Sequence, residues 1–205
     1  LFAVSTNIVV NPHLQRNDRV NLSTTLSPVT KASAYQYVLA IDPKVPAKDL
    51  RELIAWLKQN RDQASVATVG VGSAAHVAAV TFANLTGLNL QYVPYRGGAQ
   101  AITDLLRGEV QFMFYHYLPL LPHIAEGKLR AIAIGSAKRS PAAPDVPTVA
   151  ESGYAGFEYV AWNGNFAPAK TPAAIIAKIS ADIGKALATP DVVQRLASLG
   201  SEAAP

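Results

Sequence analysis

Two short stretches carry residue types whose spacing could do chemistry. In "ATVGVGSAAH", residues 67–76, an apolar run ends at Gly70 and Gly72, and an Ala-rich helical pattern opens at Ser73. In "VPYRGGAQAITDLL", residues 93–106, a second strand-like run ends at Arg96 and a Gly97-Gly98 turn opens another helix. The first-turn N–H groups of a helix have no intrahelical acceptor and sit at the positive end of its dipole. A strand–glycine–helix junction therefore favours an oxyanion, and glycine lets the backbone approach it. Ser73 adds a hydroxyl and Arg96 a charge. Taken singly, Ser73 is a helix cap and Gly97-Gly98 a turn. Taken as consecutive units on neighbouring strands, the two junctions would aim at one place.

Enzymatic chemistry has little to build on. Gly70-x-Gly72-x-x-Ala75 has the spacing of a dinucleotide fingerprint, but the next strand ends in Tyr95-Arg96, where an acidic residue would hold a ribose. An NADP-dependent oxidoreductase built on residues 67–98 is the alternative reading. There is no G-x-S-x-G elbow and no phosphate-binding G-x-x-x-x-G-K-[ST] loop. Ser73 and His76 share a helix face without a third group to orient the imidazole. His76 then reads as a packed or ligand-facing residue. His13, His116 and His123 lack metal-ligand spacing. Asp104 and Glu109 read as solvated charges, and Trp56 as core edge or surface on its amphipathic helix. Trp162 stands in a Gly/Asn-rich stretch where an aromatic either lines a cleft or simply packs.

The elements that must position these residues alternate. "YQYVLAI", "SVATV", "LNLQYVPY", "VQFMF" and "LRAIAIG" read as strands. Between them lie a helix carrying Leu50, Leu53, Ile54 and Leu57 on one face, a helix over 73–86 stopped by Gly87, one closed by Gly108 and one over 117–126. Alternation of this kind argues for a parallel or mixed α/β sheet, with ligands at the carboxyl ends of its strands. "LFAVSTNIVV" reads as an opening strand, 11–34 as polar and irregular, and 137–159 as an extended connection. Two closing helices each start at Thr-Pro, Thr171-Pro172 and Thr189-Pro190, and Ile175, Ile176, Ile179 and Ile183 form the expected buried stripe of the first.

Composition narrows the partners. The 205 residues are half hydrophobic and 16% charged, enough for a real core. With no cysteine, thiolate chemistry, disulfides and Cys-ligated zinc are excluded. The net charge is +4, and Lys138-Arg139 is the only adjacent basic pair among 18 Lys and Arg, so no nucleic-acid stripe exists. No apolar run is long enough to span a bilayer, and no signal peptide is present in the sequence.

Longer stretches carry a resemblance. "GVGSAAH", "VPYRGGAQAITDLLRGEV", "LPHIAEGKLRAIAIGSAKRSPAAPDVPTVAESGY" and "W-x-G-x-FAPAKTP", in that order, resemble the Bug-type extracytoplasmic solute receptors of tripartite tricarboxylate transporters. The resemblance runs from about Leu1 to Pro205. It implies a two-domain α/β fold like that of type II periplasmic binding proteins, closing on a small organic carboxylate. It implies a periplasmic location, delivery to membrane permease subunits, no catalysis and no cofactor. Domain 1 would comprise 1–37 and 137–205, and domain 2 residues 38–136, with the hinge crossed near Tyr35–Tyr37 and again near Gly135. The ligand loops would be Gly72, Ser73 and Ala74, and Gly97, Gly98 and Ala99, with Ser5 contributing from the first domain.

The sequence departs from the family pattern in three places. The family's opening strand with its Pro/Gly-rich loop, and its last helix, have no counterpart, which implies an incomplete first domain prone to self-association. Tyr115 stands where family members commonly carry an acidic residue. Its loss disfavours a ligand with an amino group and favours an aromatic or apolar acid.

Overall fold

The structure is a computed structural model that describes residues 1–14, 22–62 and 64–205. Its elements are β1 (Phe2–Val4), α1 (Ser5–Val9), α2 (Asn11–Leu14), α3 (Leu22–Thr25), β2 (Leu26–Ile41), α4 (Leu50–Gln59), β3 (Ser65–Thr68), α5 (Ala74–Thr86) and β4 (Gln91–Pro94). There follow α6 (Gly98–Arg107), β5 (Phe112–His116), α7 (Tyr117–Ala125), β6 (Arg130–Ile134), β7 (Val160–Pro168), α8 (Ala173–Leu187), α9 (Pro190–Ser198) and β8 (Ser201–Ala203). The chain divides into one unit of Leu1–Tyr35 with Ala161–Pro205 and a second of Gln36–Val160.

The Gln36–Val160 unit is built on a mixed sheet. β3 runs parallel to β4 on one side and β5 on the other, while the end of β2 pairs antiparallel with both β5 and β6. Val38 to Ile41 are all buried, as expected of a strand covered on both faces. Side chains of β5 alternate. Phe112 and Phe114 meet Phe82 of α5, with ring centroids 6.4 and 5.5 Å apart. Met113 joins Leu105 of α6 and Leu120 of α7 in a cluster on the opposite face.

Local chemistry explains the helix boundaries. Asp49 caps α4 by accepting from the Glu52 N–H at 2.8 Å, and Glu52 in turn accepts from the Lys48 N–H at 2.7 Å. Leu50, Leu53, Ile54 and Leu57 all face the core. Gly87 and Gly108 end α5 and α6 in the left-handed conformation.

The expected boundary near Gly135 is corrected. Residues 137–160 belong with the Gln36–Val160 unit, and the second crossing falls between Val160 and Ala161. The Pro-rich stretch looks like a loose connection, but its backbone is committed. Ile134 N–H donates to Pro147 O, Val149 N–H to Ile134 O and Tyr159 N–H to Gly135 O, at 2.8, 2.9 and 2.7 Å. Val149 is fully buried, and Phe157 packs on Phe82 and Phe114 at centroid distances of 6.3 and 6.0 Å.

In the Leu1–Tyr35 and Ala161–Pro205 unit, β7 pairs antiparallel with β1 and lies beside β2, which also takes β8. Several expectations are corrected here. The opening strand stops at Val4, because Ser5, Thr6 and Asn7 break the apolar run and a helix follows. The region expected to be irregular is strand from Leu26 on; residues 15–21 of it lie outside the described residues. The Gly/Asn-rich stretch around Trp162 is one continuous strand. Pro172, not Thr171, is the cap of α8. The isoleucine stripe is not buried: Ile175 is 49% and Ile179 39% exposed, and neither α8 nor α9 has a buried residue. Among the described residues, the buried apolar side chains of this unit are few and mostly small, Ala32, Tyr35, Ala161 and Ala167.

Phe157→Ala tests the corrected boundary. Removing a fully packed aromatic should destabilise the Gln36–Val160 unit by about 3–5 kcal/mol in denaturant titrations. A cost below ~1 kcal/mol would show that 137–160 merely drapes over this core.

Candidate functional site

The sheet reverses its winding between β3 and β4. From β3 the chain passes through α5 to β4; from β4 it passes through α6 back across β3 to β5. Crossovers between parallel strands are right-handed, so opposite directions put the two helices on opposite faces. The packing agrees, with α5 on the Phe112/Phe114 face and α6 on the Met113 face. The loops leaving β3 and β4 therefore part at a topological switch point, where open α/β sheets bind ligands. Both sequence-predicted junctions lie there.

The first loop is tightly built. Gly70 and Gly72 have φ of +102° and +78°, which an L side chain rarely adopts. Ser73 N–H donates to Gly70 O at 3.2 Å. Ser73 caps α5, its Oγ accepting from the His76 N–H at 3.2 Å. His76 folds back, and its Nδ1 accepts from the Gly72 N–H at 3.1 Å. The Gly72 N–H is thus already engaged by the loop itself, while the Ser73 hydroxyl accepts from the helix and keeps its own O–H to donate. The N–H groups of Ala74 and Ala75, which a helix cannot satisfy internally, remain the donors of this terminus. Burial holds the His76 imidazole below its ordinary pKa. Its ring lies edge-on to Tyr92 of β4, with centroids 5.3 Å apart.

The second loop differs from expectation in a specific way. A Cβ at Gly98 would overlap the hydroxyl and Cζ of Tyr115. A side chain at Gly98 would require the Tyr115 ring to shift. The Gly98 φ is not in the left-handed region, and Gly97 is extended at φ −174°, so no special dihedral is involved. Tyr115 ends up beside the start of α6 and is half-buried. Its ring meets Tyr37 edge-on at 6.3 Å and His116 at 5.0 Å, and Tyr37 meets Tyr159 at 5.7 Å. Burial raises the Tyr115 and Tyr117 phenols and lowers His116, so this end of β5 favours neutral side chains.

Of the other expected residues, Arg96 and Ala99 are exposed on the second loop and first turn of α6. Tyr95 before them is pushed up to about 12 by burial and by its hydrogen bond and proximity to Asp104. Ser5 and Trp162 belong to the other unit, where Ser5 is buried and its Oγ accepts from the Trp162 N–H at 3.5 Å. Trp162 lines a groove there of about 380 Å³ with Pro28, Val29 and Phe166. Sequence reasoning did not single out Tyr37 and Tyr159 as companions of Tyr115. Tyr37 lies within β2 and Tyr159 just before β7, and only tertiary pairing brings them together.

An open α/β sheet with two helix N-termini at its switch point can hold an anion there. A family model described as "Tripartite tricarboxylate transporter family receptor" matches residues 1–204, and the chain belongs to that family. It is 33% identical over 201 residues to a protein encoded in the tcbD-tcbE intergenic region of Pseudomonas sp. (strain P51), covering 98% of this chain and 60% of the relative. The chain thus spans about 60% of the length of that curated relative. Among solved structures, the periplasmic binding protein BugD superposes with a TM-score of 0.84 at 32% identity, over 99% of this chain and 68% of its own. MatC from Rhodopseudomonas palustris with bound malate gives 0.75 at 34%, over 86% and 60%. Rpa4515 of R. palustris with adipate gives 0.84 at 25%, over 99% and 68%. No described helix is long and apolar enough to cross a membrane.

The Gly98–Tyr115 fit generates a prediction. Gly98→Ala should destabilise the protein by about 1–3 kcal/mol, because Tyr115 must leave its place. Tyr115→Ala vacates that space, so Gly98→Ala on this background should cost much less. A denaturant-based double-mutant cycle with a coupling below ~0.5 kcal/mol would contradict the fit.

Proposed function

We propose that this chain carries the ligand-capturing part of a periplasmic receptor for a small organic carboxylate, which it delivers to the permease of a tripartite tricarboxylate transporter. The observation that supports this most is the pair of helix N-termini, α5 and α6, opening at the β3/β4 switch point in a chain of this receptor family. The malate and adipate held by two structural relatives supply the ligand class. The donors are the first-turn N–H groups around Ala74 and Ala99, with Arg96 as the nearby cation. The competing oxidoreductase reading needs an acid after β4 and has Tyr95-Arg96 instead; family membership weighs against it as well.

The ligand body is apolar or aromatic. Tyr115 presents a neutral phenol beside the start of α6, backed by Tyr37 and His116. Aromatic walls stabilise an apolar body through area and edge contacts worth about 0.5–1.5 kcal/mol per pair. An ammonium group there would be desolvated without a counter-charge, which is costly.

Calorimetry with size-matched ligands tests both levels. Malate, adipate and benzoate should bind, whereas aspartate, which replaces the malate hydroxyl by an ammonium, should bind at least tenfold more weakly than malate. Tyr115→Asp should weaken the acids by like-charge repulsion and narrow the malate–aspartate gap. Aspartate binding as tightly as malate to the unaltered protein would refute the specificity. Binding of NADP in place of every acid would refute the receptor.

A further inference from the structure

We infer that His76 is a positioning residue: its unprotonated Nδ1 fastens the Gly70–Ser73 loop to the start of α5, and protonation of the imidazole releases that loop. The functional meaning rests on the proposed role of the loop in anion capture; the geometry does not.

The arrangement is a variant of the capping box. In the usual box a Ser or Thr at the cap accepts from the N–H three residues on, and a Glu or Gln there reaches back to a backbone N–H before the helix. Here Ser73 is the cap, His76 is the residue three on, and the imidazole reaches back to Gly72. A glutamate would accept throughout the neutral range. A histidine nitrogen accepts only while it carries no proton. Because a backbone N–H can only donate, the bond from Gly72 places the ring proton on Nε2.

Besides the imidazole, the loop is closed by the Ser73 N–H bond to Gly70 O and by the Ser73 cap on the His76 N–H. Its tip residue, Val71, is 72% exposed and contributes no burial. Gly70 and Gly72 both occupy left-handed φ, where glycine has most freedom to lose. The ring sits in the first turn of α5, where the helix dipole opposes a positive charge, and burial acts in the same direction. Tyr92 of β4, the titratable ring in edge contact with it, is raised above its ordinary value by burial and stays neutral while His76 titrates. The contribution of the fastening is complete above the ordinary histidine pKa of 6.5 and is lost as pH falls through the lowered value in the folded protein.

Nitrogen-detected NMR titration of the whole chain decides the matter. At pH 7.5 His76 should be the Nε2–H tautomer, and the Gly72 amide shift should follow His76 protonation with one shared midpoint below 6.5. His76→Phe should lower the hydrogen-exchange protection of the Gly72 amide at least tenfold at neutral pH. His76→Asn, whose Oδ1 accepts at about the reach of Nδ1, should restore protection and abolish the pH dependence. A Gly72 amide that ignores His76 protonation overturns the inference, even if the Phe variant does not fold, and so does an Asn variant that keeps the midpoint. Malate affinity measured on the same samples should fall at least threefold across that midpoint. Absence of malate binding at every pH counts against the receptor reading, while the amide coupling stands or falls by itself.

Discussion

Everything at the candidate site follows from a deficit that every α-helix carries: its first N–H groups have no partner of their own. The winding of this sheet brings two such deficits to one edge. Because β4 is entered from one face and left toward the other, the junctions 70–74 and 96–99 flank the same crevice. The fold creates an electropositive backbone surface before any side chain is chosen. Side chains then decide how much of it is left for a ligand.

They make that choice differently at the two termini. At α5 the sequence consumes one N–H with Ser73 and a second with His76, so the loop is ordered by its own residues. At α6 there is no side-chain cap, and a ring from a different strand occupies the space a Cβ would take. The first terminus is shaped by local sequence, the second by a long-range contact. Gly70 and Gly72 thus answer to their dihedrals and Gly98 to the ring above it, while Gly97 shows neither constraint.

Local sequence made much of this legible. Helices α4, α5 and α6 could be read from apolar spacing and from Gly87 and Gly108, and the strand–glycine–helix junctions marked the switch point. What could not be read depended on partners far along the chain. The polar residues 26–34 form strand because β7 and β8 lie alongside them. The Pro-rich 137–160 segment joins the Gln36–Val160 unit because Phe157 finds Phe82 and Phe114. At the site, Ser73 and His76 were visibly on one helix face, but nothing in their spacing told that the ring turns back to Gly72. Tyr115 stands out by its position directly after the run VQFMF, while its seat over Gly98 depends on the register of β5, which contains it, against its neighbours.

The placement of the tryptophans has a consequence for spectroscopy. The chain has two. Trp56, on α4, is half-buried in the Gln36–Val160 unit, and Trp162, on β7, lies in the other unit. Tryptophan emission, excited selectively over that of the eight tyrosines, is therefore a sum of one indole per unit. Conservative replacement of either by phenylalanine turns the remaining indole into a reporter for a single unit, with no extrinsic label. The sparsely buried unit with α8 and α9 and the densely packed Gln36–Val160 unit then become separately observable within one polypeptide.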